Sequence, residues 1–454
     1  MTREKFNDFI LKCGPVALFS ALTGFLSGAL VILYNCIADV IVHDSLILYS
    51  AFAKRPIFIP LLFVILIILA FLSYVILKFL PQVKGAKIPR ADDTALKLSW
   101  WQTILAKIFG SFISFFGGLS LGVEGPATAI GSSVGVGLSS LIKSKRFSTR
   151  DKDEVTSVVA ESGVTSALTA IFNAPLAGIA FVIEELEHKI SGLLVVALTF
   201  GSATSLFTSY ALRKLLDLPE RLFALSLPTL PPSYFWAILL LGVILGILAT
   251  LYVKLIKAFG KPNFLKRIPL IIKLIFVFLI TGATGIFLTN VLGGGSFVIR
   301  ELLSVDFPWW ILLVMLVVKS LLTALALSSS SHGGLLMPTL AIGAIAGALL
   351  GKMALLLGVP NEYYALFVIA GALSFFGGVY RAPISAILLT IELTGSTHGI
   401  ATIGAEIIIT FIVAELLLKI PYRRIFDKIK TKKNKSNDIK NNSFLKTPLD
   451  THQN

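Results

Sequence analysis

The chain has 454 residues, 56% of them hydrophobic and only 14% charged, with a formal net charge of +15. Soluble domains carry about 25% charged residues. A soluble globular core is therefore excluded, and a chain that crosses a membrane many times is expected.

The N-terminal segment 1–13 is charged, but the apolar run that follows, 14–42, is too long for a signal peptide and has no small-x-small cleavage site. It reads as a first spanning helix, long enough that it must tilt. Cys13 and Cys36 lie at or in it, too few and too local for a disulfide framework. Further spans are expected at 57–80, 100–122, 191–212, 233–256, 268–292, 308–327, 334–358 and 399–420. Shorter apolar pieces lie around 124–142, 155–172, 175–186, 363–377 and 382–394. The charged cluster 143–154 reads as a solvated loop. From Tyr422 onward the chain holds nine Lys/Arg against three Asp, without periodicity. This reads as a disordered cytoplasmic tail (423–454) suited to anionic lipid. The positive-inside rule places both termini in the cytoplasm. A nucleic-acid role for the tail has no interleaved aromatics to support it.

The transmembrane region, 14–422, repeats itself. "APLAGI" (174–179) leads to Ile183-Glu184, and "APISAI" (382–387) leads to Ile391-Glu392. "GVEGPATAIG" (122–131) aligns with "GLLMPTLAIG" (334–343). The two matches occur in the same order, which divides the region into a first repeat, about 14–215, and a second, about 230–422. Pro126, Pro175, Pro338 and Pro383 each sit near the start of an apolar piece too short to span comfortably. Proline is tolerated in a first helical turn, so each motif is expected to begin a helix inside the membrane. The free N–H groups and dipole of such a helix start form an anion site.

Glu124 sits at one of these starts, between glycines in "GVEGPA" (122–127). A carboxylate there is attracted by the same N–H groups that hold a free anion, and competes with it. Protonation removes that attraction and frees the side chain to swing away. A proton-carrying gate follows. The bland alternative is a structural cap.

These stretches resemble the CLC chloride channel and transporter family, over roughly residues 10–422. The family's motifs are matched by "GAKIP" (85–89), "GVEGP" (122–126), "GLLMP" (334–338), "NAPLAGIAFVIEEL" (173–186) and "RAPISAILLTIEL" (381–393). The resemblance implies an all-α polytopic membrane protein. It implies about eighteen helices in two inverted-topology repeats, whose broken helices meet at a central anion site. It also implies a homodimer with one anion path per subunit and no cofactor. By the same resemblance Glu124 is the external gate and Glu185 the internal proton acceptor, a pairing found in proton-coupled exchangers. The implied anion path runs along Gly85, Ala86, Lys87, Ile88 and Pro89, then Gly122, Val123, Gly125 and Pro126, then Gly334, Leu336, Pro338 and Thr397.

The departures from the family pattern carry their own expectations. Ala86 stands where the family has a coordinating serine. Thr397, counted from Glu392, falls where it has a tyrosine. The central site should then rest on backbone N–H groups, around Ile342 and Gly343 and near Glu124, with looser selectivity and coupling. Lys87 is either a cation that focuses anions at the inner mouth or a lysine that snorkels to headgroups. Val123 replaces an arginine and lowers the attraction at the outer gate. Pro126 is retained, which argues against a fluoride exporter. The five histidines show no metal spacing. Glu161 and His398 are further candidates for a proton route, and Ser328–Ser331 for lining the path or capping backbone. The sequence holds no Walker motif, HExxH or GxSxG, so an enzyme is not expected. The function expected is exchange of chloride or a similar monovalent anion for protons across the cell (inner) membrane. An uncoupled anion channel of the same fold is the alternative.

Overall fold

A computed structural model describes residues 3–83, 100–142, 149–186, 190–223, 225–260 and 268–418. The "GAKIP" stretch, with Gly85, Ala86, Lys87, Ile88 and Pro89, lies outside these residues, and so does the basic tail.

The described residues form fifteen α-helices, ten of them long and apolar enough to cross a membrane. In the first half they are α1 (Arg3–Lys54), α2 (Ile59–Phe79), α3 (Trp100–Phe116), α4 (Glu124–Ser139), α5 (Thr149–Phe172), α6 (Pro175–Phe181) and α7 (Gly192–Leu215). The second half holds α8 (Phe235–Gly260), α9 (Leu270–Phe287), α10 (Ser296–Ser304), α11 (Trp309–Ser328), α12 (Leu336–Leu356), α13 (Tyr364–Tyr380), α14 (Pro383–Thr394) and α15 (Ile400–Leu418). The only β-type pairing among them is one isolated antiparallel bridge, Gly122 with Gly334.

Two apolar runs end differently from the reading of the sequence. The first helix continues past residue 42 to Lys54, because no glycine or proline lies between residue 42 and Pro56. The run 100–122 is helical only to Phe116. Gly118 adopts φ +73°, a left-handed backbone that ends the helix, and residues 117–123 run on as a loop toward Glu124.

The long helices leave apolar side chains such as Leu61, Ile68, Phe207 and Ile412 exposed, as lipid-facing surfaces require. Their inner faces close through small residues. Gly131 of α4 faces Gly163 of α5 so tightly that a Cβ on either would stand 2.0 Å from the other's carbonyl oxygen. Gly343 of α12 and Gly371 of α13 meet in the same way, at 2.5 and 2.6 Å. Small residues permit this backbone approach between membrane helices, where packing rather than the hydrophobic effect drives association.

Candidate anion and proton site

Four short motifs start helices, as their prolines suggest. α6 and α14 each place proline at the first helical position, after Ala174 and Ala382. α4 and α12 each place it third, as Pro126 and Pro338. Gly122 and Gly334, just ahead of α4 and α12, exchange backbone hydrogen bonds: Gly122 N donates to Gly334 O at 2.9 Å, and Gly334 N to Gly122 O at 2.6 Å. This bridge holds the two helix starts together.

Glu124 is the first residue of α4, and it is 3% exposed. Its carboxylate reaches beyond its own helix. It lies on the start of α12, where Oε1 accepts from Met337 N at 3.0 Å. Oε2 has no hydrogen-bond partner among the described residues. Gly122 and Gly334 wall the pocket: a Cβ at Gly122 would stand 2.1 Å from Oε2, and one at Gly334 2.4 Å from Oε1. Gly125, Pro126, Leu336 and Pro338 are buried around it, and Val123 is half-buried.

The uncommitted N–H groups of this helix start are therefore placed differently from the sequence expectation. α12 begins at Leu336, so Ile342 and Gly343 lie in its second turn, where N–H groups are committed within the helix. The free donors belong to the first turn. Pro338 has no N–H, and Thr339 N already bonds Leu335 O. Leu336 and Met337 are left: Glu124 bonds the Met337 N–H, and the Leu336 N–H also faces its carboxylate.

Glu184 and Glu185 lie on a π-helical turn, Val182–Leu186, that follows α6. Both are half-buried. Glu184 accepts from Ile384 N at 3.0 Å and Ser385 N at 2.8 Å, at the start of α14. A small cavity, about 20 Å³, lies between the two carboxylate sites. Its walls include Phe181, Phe376, Leu168, Leu336 and Ser385. Leu336 adjoins the donor of Glu124, and Ser385 bonds Glu184, so the cavity borders both. It has room for one water molecule, with Ser385 as the polar side chain in its wall.

Thr397 is not brought to this cluster. It is exposed in the loop between α14 and α15, beside the exposed His398, and makes no hydrogen bond to Glu124. Its neighbour Ser396 is buried and accepts from Leu227 N at 3.3 Å. Glu161 is half-buried and accepts from Ser157 within its own helix at 3.3 Å. Ser328 and Ser329 turn their hydroxyls onto carbonyls at the end of α11, the capping alternative. No group of metal-ligating side chains occurs among the described residues.

Five buried ionisable residues had no role in the sequence reading: Lys12, Lys107, Lys319, His332 and Glu406. The rule that singled out Glu124, a charge inside an apolar run, also applies to three of them. Lys319 is fully buried, and its Nζ donates to Val291 O at 3.0 Å and Gly293 O at 3.1 Å. Gly293 N in turn donates to Gly118 O, in the loop that leads to Glu124. Lys319 thus braces the backbone behind Glu124.

A family model described as voltage gated chloride channel matches residues 68–415. The chain belongs to that family. Among its relatives, the H(+)/Cl(-) exchange transporter ClcA of Vibrio cholerae serotype O1 is 30% identical over 436 residues, covering 92% of this chain and 90% of the relative. The ClcA of Vibrio parahaemolyticus is 29% identical over 374 residues, with 77% and 75% covered. The crystal structure of a slow cyanobacterial Cl-/H+ antiporter superposes with a TM-score of 0.79 at 23% identity, covering 92% of this chain and 99% of that one. A CLC-type fluoride/proton antiporter gives 0.69 at 20% identity, with 91% and 97% covered. The fold is thus that of the CLC family, an all-helical membrane transporter fold.

Proposed function

We propose that this CLC-family chain exchanges chloride or a similar monovalent anion for protons across a cell membrane. The observation that carries the reading is the Glu124 carboxylate seated on the Met337 N–H at the start of α12. As a carboxylate, Glu124 holds the donor that an anion needs, and the path is closed. A hydrogen bond to a charged partner of this kind is worth about 1.5–3 kcal/mol. Taking up a proton cancels the charge, weakens the bond and releases the N–H to an anion. Losing the proton returns the carboxylate and expels the anion. One site then binds either species, which couples their movements.

Glu185 takes the role of inner proton acceptor in this reading, and the Phe181–Ser385 cavity, next to the donors of Glu124 and of the neighbouring Glu184, supports a passage from that turn toward the gate. Ala86 and Lys87 are proposed to lie on the anion path, with backbone rather than side-chain hydroxyls holding the central anion. The assembly is a homodimer in lipid, each subunit built of about eighteen helices in two inverted halves, with both termini cytoplasmic. The relatives' names and the absence of a nucleophile–base motif support transport rather than catalysis.

Paired fluxes in proteoliposomes test this. An outward chloride gradient should drive protons inward uphill. Glu124→Ala should keep the anion flux and abolish proton movement. Anion flux without protons in the unmodified protein would make it an uncoupled channel, the reading that Ala86 and the exposed Thr397 favour. If chloride does not move, nitrate, bromide and fluoride are tried in turn.

A further inference from the structure

Glu406 is 0% exposed, in α15, and neither of its carboxyl oxygens has a hydrogen-bond partner among the described residues. Ser374 of α13, also 0% exposed, lies within reach of that carboxyl, and its hydroxyl too has no well-formed hydrogen bond. Two polar groups thus meet, unsatisfied, in a seam of membrane helices. Glu406 lies outside the Glu124 and Glu184 clusters and plays no part in the exchange described above.

Among the described residues, the surroundings offer no counter-charge. α15 packs against α8, α13 and α14. On α8, Gly242 sits at the level of Glu406, since a Cβ there would stand 3.2 Å from the Glu406 carbonyl oxygen. At 1.5 Å per residue, Tyr252, Lys254 and Lys257 are then roughly 15, 18 and 22 Å further along that helix. Lys254 is exposed there. On α13, Tyr364 and Tyr380 lie about 15 and 9 Å from Ser374 along the axis, toward opposite ends, and Tyr380 packs on Phe181 and Phe376. Glu392 of α14 accepts from Leu176 N and Ala177 N. Glu415, nine residues on in α15, pairs with Arg381 at 2.9 Å. An ionised carboxylate buried without a partner costs several kcal/mol, and more in a membrane, where water does not reach it. A neutral carboxylic acid costs far less, and its O–H can donate to Ser374 Oγ.

We infer that Glu406 and Ser374 form a proton-binding site separate from the Glu124 gate, in which Glu406 is held as the neutral acid and its ionisation loosens α15 from α13. α13 also packs along α12, the helix that receives Glu124, so the site is mechanically continuous with the gate.

The test is infrared difference spectroscopy of the full-length protein in lipid, with wild type compared to Glu406→Gln. The difference should contain the carbonyl band of a protonated carboxylic acid that persists to alkaline pH, and Ser374→Ala should shift that band. A carboxylate band in its place overturns the proposal. If Glu406→Gln does not fold, Ser374→Ala, which keeps Glu406, decides: an unshifted acid band overturns it. Thermal stability followed against pH tests the coupling. Wild type should lose stability as pH rises above the carboxyl's unfolded-state value of about 4.3, and Glu406→Gln should lack that part of the slope; coincident profiles overturn the coupling. These readouts do not depend on which ion the protein moves, so a failed chloride flux leaves them intact.

Discussion

Glu184 and Glu392 stand in reciprocal positions: each follows or ends the short helix of one half, and each carboxylate caps the start of the other half's. Glu184 accepts from the N–H groups of Ile384 and Ser385, and Glu392 from those of Leu176 and Ala177 at 2.9 and 2.8 Å. Two helix starts are satisfied by two carboxylates in a closed exchange. The Gly122–Gly334 bridge repeats this reciprocity beside Glu124. The repeated motifs of the sequence are therefore not merely similar; they are one another's binding partners.

This exchange sets a stability prediction. Removing either carboxylate strips two free backbone N–H groups of their acceptor and takes a negative charge from a helix start. Glu184→Ala and Glu392→Ala should each destabilise by about 1–3 kcal/mol. Glutamine in either place keeps one acceptor oxygen and should cost less. Thermal unfolding in detergent reads the difference. Equal stability of the alanine variants and wild type would show that the caps contribute nothing.

Gly122→Ala isolates the gate from the backbone. The three nearest atoms to the added Cβ all belong to the Glu124 carboxyl group, at 2.1–2.7 Å. The side chain must leave the Met337 N–H, whereas the fold need not shift. The expected result is faster anion flux with several-fold fewer protons per anion, close to Glu124→Ala. Unchanged flux and stoichiometry would mean that the carboxylate tolerates displacement and is not the gate. Gly334→Ala is a poorer test, because its Cβ would also press on Gly125 N at 2.5 Å.

Lys319→Met keeps volume and removes the donor. Val291 O and Gly293 O then lose their shared partner in a buried loop, at about 1–3 kcal/mol for each group left unsatisfied. Destabilisation of about 2–5 kcal/mol is expected from thermal melts. Arginine at this position should recover part of it. A neutral effect of the methionine would show that other donors reach these carbonyls.

Much of the molecule was legible in the chain. Apolar runs located the membrane helices because a bilayer interior admits few charges, and length alone then decides what spans. Prolines located the four helix starts because only a first turn tolerates them without loss. The limits of that reading have causes too. Run 100–122 reads as one span, since hydropathy does not register that Gly118 turns left-handed. Lys319 and Glu406 sit in apolar runs as plainly as Glu124 does, but no spacing reveals whether a carbonyl, a hydroxyl or nothing waits beside them.

The sequence by itself determined the family, the membrane setting, the paired motifs and the presence of Glu124 at a helix start. Those are properties of order, composition and local backbone preference. Only the tertiary structure decided that the Glu124 carboxylate crosses to the start of α12, that Glu184 and Glu392 cap each other's helices, and that Thr397 is exposed. Each depends on which helix starts face one another across some two hundred residues of chain. Backbone N–H groups, which every sequence supplies alike, become a site only where packing points them at one place.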